Sequence, residues 1–167
     1  MSTWLTESEY LQSEAIASGI TINVAFLQEI KQETIELRQL IETVASALSH
    51  EPSVSSRQIM ELMYRVREEL ETYFALEECY GYFDQAAVLN PAVSGCAQQL
   101  KSEHEELFLN FNDLVELIEQ IVYRETSATL AEVSAAFDEF RARLDLHEQC
   151  EMELMLRLCN EDLGVGD

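Results

Sequence analysis

Apolar residues recur three and four positions apart along most of this chain, the spacing that gathers them on one face of an α-helix. The first stripe runs Val24, Leu27, Ile30, Leu37, Ile41, Val44 and Leu48 and predicts a helix over about residues 20–49. It stops at the turn SHEPSVSS, which holds Pro52. A second stripe, Ile59, Leu62, Val66 and Leu70, continues through Tyr73, Glu77 and Tyr80 to an Asn90-Pro91 corner, with Gly81 loosening its last turns. The third starts near Pro91 and carries Leu100, Leu107, Phe111, Leu114 and Ile118. It ends before Glu125-Thr126-Ser127-Ala128-Thr129, a segment rich in helix-capping side chains. The fourth presents Leu130, Val133, Phe137, Phe140, Leu144, Leu154 and Leu158. Strand signals are weak throughout. The predicted fold is all-α, an antiparallel up-down-up-down four-helix bundle over residues 20–160. A short N-terminal arm or helix precedes it at 1–19, where Thr6 and Glu9 are spaced like a capping box, and a tail follows at 161–167.

Each stripe is broken by polar residues at its own inward phase: Thr34, then Tyr73 and Glu77, then His104, then His147 and Glu151. An internal repeat pairs the same positions, because IKQETIEL (30–37) aligns with LKSEHEEL (100–107) and LETYFALEE (70–78) with LDLHEQCEM (144–152). Thr34 then stands opposite His104, Tyr73 opposite His147 and Glu77 opposite Glu151. Height along the bundle is a separate test, since antiparallel helices bring residues equidistant from a turn to one level. The pairs 34/73, 77/104 and 104/147 centre at about residues 53, 90 and 125, each on a predicted turn. Phase and height agree on one polar layer.

Such a layer poses an electrostatic problem. An unpaired carboxylate in an apolar core costs several kcal/mol, and two facing each other drive one to take up a proton. A divalent cation removes the difficulty, because two glutamates and two neutral imidazoles offer oxygen and nitrogen ligands with a summed charge suited to Zn²⁺ or Fe²⁺. The His147/Glu151 spacing puts both on one helix face. An empty polar layer is the competing expectation: a core histidine alone is more often hydrogen-bonded than ligating. The Glu-x-x-His motif of ferritin-like bundles is absent, since Ala47, Lys101 and Leu144 stand three residues before the histidines. Cys79 and Cys150 fall off the inward phase and read as packing residues; His50, beside the first turn, reads as a solvated helix-end residue.

Charge narrows the partners. Thirty-two acidic against ten basic residues leave a formal net charge of −22, which repels polyphosphate backbones and anionic bilayers alike, so neither nucleic acid nor membrane is expected. No long apolar run or basic-then-apolar leader appears, and the four cysteines show no CxxC pairing. A cytoplasmic protein with reduced thiols is expected. At 167 residues with two prolines and five glycines, one domain with its own core is the expectation.

The residues in the polar layer resemble the hemerythrin-like (HHE cation-binding) family, over about residues 20–160. The family's second-helix pattern L-x-x-H-F-x-x-E-E appears as LETYFALEE, with Leu70, Phe74, Glu77 and Glu78 kept and Tyr73 in place of histidine. Its fourth-helix H-x-x-x-E is intact as His147 and Glu151, and its third-helix E-H-x-x-L as Glu103, His104 and Leu107. In the first helix the expected E-H reads Glu33-Thr34. The resemblance implies a four-helix bundle and a non-haem iron site bridged by Glu77 and Glu151. His104 and His147 would serve one metal, while Thr34 and Tyr73 occupy the places of the other metal's imidazoles. Phe108 stands where some members add a further histidine. The expectation is one iron or zinc ion on His104, His147, Glu151 and Glu77, with Tyr73, Thr34 and Phe108 lining the site and a di-iron centre disfavoured. Tyr73 would hydrogen-bond a glutamate in preference to ligating iron. No catalytic residue is assigned: the resemblance implies sensing or storage of a metal or of a small molecule such as O2 or another diatomic, in preference to turnover. A metal-free bundle used as a scaffold or interaction module is the alternative, and a homodimer formed through the N-terminal arm is left open.

Overall fold

The computed structural model describes residues 24–49, 54–79 and 91–161, with side chains placed for 34–49, 54–79 and 93–157. The predicted arm at 1–19, His50, the corner around Gly81 and Asn90, and the chain beyond 161 lie outside the described residues. Four helices form: α1 (Val24–Ser49), α2 (Ser56–Cys79), α3 (Pro91–Tyr123) and α4 (Leu130–Glu161). Among the described residues there are no strands.

Local chemistry places the helix ends. Before α2, Ser55 and Gln58 form a reciprocal cap: the Ser55 N–H donates to Gln58 Oε1 at 3.0 Å and the Gln58 N–H to Ser55 Oγ at 3.3 Å. Thr129 and Glu132 repeat it at α4, with the Thr129 N–H donating to Glu132 Oε2 at 2.7 Å and the Glu132 N–H to Thr129 Oγ1 at 3.4 Å. At the C-terminus of α3 the Glu125 N–H reaches the Gln120 carbonyl at 2.8 Å and the Arg124 N–H the Ile121 carbonyl at 3.2 Å. That Schellman pattern requires a left-handed residue after the helix, and Arg124 supplies it at φ 62°.

Neighbouring helices pack in a closed ring, α1 on α2, α2 on α3, α3 on α4 and α4 on α1. Cross-helix pairs rise in number on one helix as they fall on the other. Arg38 pairs with Asp145 and Glu148, while Glu42 accepts from Arg141 at 2.5 Å. Between α2 and α3, Tyr64 donates to Glu119 at 2.5 Å. No helix among the described residues is long and apolar enough to cross a membrane.

Over the described side chains most of the predicted stripes face inward, with Leu62 and Leu130 half-buried. Leu37, Ile41, Val44, Ile59, Val66, Leu70, Leu107, Phe111, Ile118, Val133, Phe137, Phe140 and Leu144 are all buried. Phe111 lies 4.8 Å from Phe140 and 6.3 Å from Phe137, ring centre to ring centre, at tilted or edge-on angles that suit aromatic quadrupoles. A smaller apolar cluster, Val93, Ala97, Leu100 and Leu154, sits apart from this main core. On α3 the gap between the two falls between Leu100 and Leu107, and on α4 between Leu144 and Leu154. The polar layer occupies that gap.

Candidate metal centre

Among the described residues four acidic or imidazole side chains are buried in the core: Glu77, His104, His147 and Glu151, each at most 6% exposed. One nitrogen or oxygen atom from each lies within 4.8 Å of the other three. Glu77 comes from α2, His104 from α3, and His147 and Glu151 from successive turns of α4. These are four of the six residues the stripes place in one layer, and among the described residues they come from these three helices alone.

The contacts are organised around the two imidazoles. His104 Nε2 stands 3.4 Å from Glu77 Oε2 and 3.3 Å from Glu151 Oε1, and His147 Nε2 stands 3.1 Å from the same Glu151 oxygen. On their outer sides the rings meet two further acids. His104 Nδ1 is 3.1 Å from Glu78 Oε1, and His147 Nδ1 is 3.0 Å from Glu103 Oε2. Every ring nitrogen therefore faces a carboxylate oxygen. A neutral imidazole owns one N–H, so each ring must present a lone pair to one of its acids unless a proton or cation intervenes. His147 Nε2 meets Glu151 off the line of a hydrogen bond and is buried, as a nitrogen aimed at a shared centre would be.

Three of the six separations among these atoms match those around a single small cation, within a set of four that lies inside 4.8 Å. Ligand atoms about 2.0–2.1 Å from a tetrahedral zinc stand roughly 3.3–3.4 Å from one another along each edge. The separations of 3.1, 3.3 and 3.4 Å between imidazole nitrogens and carboxylate oxygens are close to that edge. The outer acids complete the arrangement in which a ligating histidine gives its other N–H to a carboxylate.

Burial and neighbours compete over the charges. Burial alone would raise the Glu151 carboxyl, but the two imidazoles beside it outweigh that and hold it below its ordinary value. For His147, burial opposes protonation, yet Glu151 and Glu103 together raise its basicity. The pocket thus favours positive charge among its acids, whether carried by protons or by a metal.

The residues expected to line the site divide. Tyr73 is 3% exposed, and burial followed by the charges of Glu77 and Glu151 raises its phenol well above the ordinary range; its hydroxyl hydrogen-bonds Glu77. It is a neutral phenol against the carboxylate of Glu77. Thr34 is half-buried on α1, whose described side chains include no candidate ligand, and Phe108 is half-buried against the main core. The reading of Cys79 as a packing residue is corrected: at the end of α2 its side chain points to solvent. Cys150 is partly buried beside the smaller apolar cluster, and both thiols are free, as is that of Cys96.

Three contributors escaped the inward-phase argument. Glu78 and Glu103 sit one residue from a ligand, hence about 100° around the helix from it, and reach across to the neighbouring helix's imidazole. Phe74 stacks on the His104 ring at 4.3 Å and 12° between planes and stands edge-on to His147 at 6.1 Å. The signal was in the sequence, as the Glu-Glu and Glu-His pairs, but a stripe analysis counts only the inward member of each pair. An open groove of about 760 Å³ lies between α1 and α2, lined by residues such as Glu42, Gln58, Glu61 and Arg65, and shares no residue with the layer. No protein-family model, curated protein or solved structure matches the chain.

Proposed function

We propose that this chain is a hemerythrin-like metal-binding protein in which Glu77, His104, His147 and Glu151 hold one divalent cation, iron or zinc. The single observation that carries this reading is the buried gathering of four ligand atoms within 4.8 Å, with a carboxylate oxygen set against each inward imidazole nitrogen. Two carboxylates and two neutral imidazoles sum to a charge that a divalent ion cancels. The antiparallel cross-helix pairs support an up-down-up-down bundle, in which the layer lies at one height. A second ion would need further nitrogen ligands, and the repeat puts Thr34 and Tyr73 where they would stand; Tyr73 is instead a neutral phenol bound to Glu77. The site is therefore mononuclear. Iron, which takes more than four ligands, would keep a position for O2 or another small diatomic, so sensing or storage in the cytoplasm is the role that fits.

One observation favours a metal-free scaffold: the raised basicity of His147 means that a proton could answer the same electrostatic need. Metal analysis of protein purified without chelator separates the two. We expect close to one equivalent of iron or zinc in the wild type and none in a His104→Ala/His147→Ala double variant. The wild-type thermal midpoint should also rise with free metal concentration, by about 2.7 kcal/mol of added stability at a hundredfold excess over Kd. A wild type that stays empty after loading, with a midpoint blind to added metal, defeats the metal reading in favour of the scaffold.

A further inference from the structure

The two outer acids have no role in the ligand set, yet each is placed on the far nitrogen of a buried ring. We infer that Glu103 and Glu78 are positioning residues: each accepts the Nδ1–H of one histidine across a helix interface and so turns that ring's Nε2 inward as a lone pair.

The geometry is strongest at His147. Its Nδ1 lies 3.0 Å from Glu103 Oε2, in hydrogen-bond geometry, while its Nε2 has no hydrogen-bond partner although Glu151 is 3.1 Å away. The ring's one proton in the neutral form therefore belongs on Nδ1. Glu103 is itself held, because Gln99 Nε2 donates to its other oxygen at 3.0 Å from one turn earlier on α3. The acid thus has both oxygens committed, one to Gln99 and one to the ring. His104 repeats the outer contact, Nδ1 to Glu78 at 3.1 Å, but its Nε2 is also in hydrogen-bond geometry to Glu151 at 3.3 Å; Phe74 stacked on the ring at 4.3 Å fixes its plane. Glu78 is the looser of the two, at 40% side-chain exposure against 29% for Glu103. Glu103 is accordingly the stronger positioning residue.

The effect on metal affinity rests on the metal reading above; the tautomer does not. The test uses full-length protein labelled with 15N in its histidines, read by the imidazole nitrogen shifts at alkaline pH without metal, with zinc affinity measured in parallel. In the wild type His147 carries its proton on Nδ1. In Glu103→Ala the proton moves to Nε2, toward Glu151, and zinc binding weakens about 10–100-fold. Glu103→Gln, whose amide oxygen still accepts, restores the Nδ1–H form and most of the affinity. Glu78→Ala changes His104 and leaves His147 as it was, with a smaller loss of affinity, and decides the same question if Glu103→Ala does not fold. Unchanged tautomers in both alanine variants overturn the inference, whatever zinc does. A wild type that binds no zinc while the tautomers move as stated defeats the metal reading and leaves the positioning role standing.

Discussion

The chemistry of this molecule is set by which nitrogen of each histidine meets which oxygen. His104 and His147 are each caught between an inner and an outer carboxylate, and such a ring can satisfy only one of them while neutral. Tyr73 adds a donor to the inner set through Glu77. Replacing it by phenylalanine keeps the buried ring but deletes that hydrogen bond to a charged group. Tyr73→Phe is expected to cost about 1.5–3 kcal/mol in denaturant unfolding of the metal-free protein. A change below about 0.5 kcal/mol would mean that the hydroxyl does not support Glu77. The spacing of His147 and Glu151 already put those two on one helix face. That Glu103, beside His104, would serve His147 was not legible from spacing, since the contact belongs to the packing of α3 on α4.

At the scale of the helix, the ends follow from local sequence and the faces from periodicity. The predicted start near Leu130 is where α4 begins, because Thr129 and Glu132 satisfy backbone donors that no preceding turn could reach. The hydrogen bonds from the Thr129 backbone N–H and then its hydroxyl hold the Glu132 carboxyl below its ordinary 4.5. A carboxyl whose folded pKa is depressed adds stability above its unfolded pKa and loses it as pH falls through the folded value. Glu132→Gln keeps the acceptor and removes the charge. The wild type should therefore be the more stable near neutrality, and its advantage should fade as pH drops below 4.5, measured by thermal unfolding at a series of pH values. An advantage independent of pH would assign the cap to geometry alone. The segments of predicted helix at 20–23 and around Tyr80 lie outside the described residues, as do the side chains of Val24, Leu27, Ile30 and Leu158, so the stripes bear on the remainder alone.

Among the described residues the polar layer divides the apolar core into unequal parts. The larger is built on Phe111, Phe137 and Phe140, and the smaller on Val93, Ala97, Leu100 and Leu154. Phe111 is fully buried, and its truncation would leave a cavity that three rigid helices cannot close. Phe111→Ala is expected to cost about 3–5 kcal/mol in unfolding free energy. Zinc affinity at 25 °C should change less than threefold, because that ring packs on Phe137 and Phe140 within the larger apolar part. A parallel loss of metal binding would show that the two parts of the core act as one unit. The buried Glu77 and Glu151, with Glu78 and Glu103 beyond the rings, give this layer its demand for positive charge.

The sequence by itself determined the helices, the inward faces over the described residues and the identity of the four buried polar side chains, because periodicity, capping and the conflict between apolar neighbours and charged side chains are all local or nearly so. Only the tertiary structure decided how the layer is wired. Which oxygen meets which nitrogen, that Glu78 and Glu103 grip the rings from outside, that Phe74 fixes a ring plane and that Cys79 faces solvent all depend on the rotation and separation of neighbouring helices. A shift of one residue in phase leaves a stripe recognisable but moves a side chain by about 100°, and hydrogen bonds tolerate far less than that.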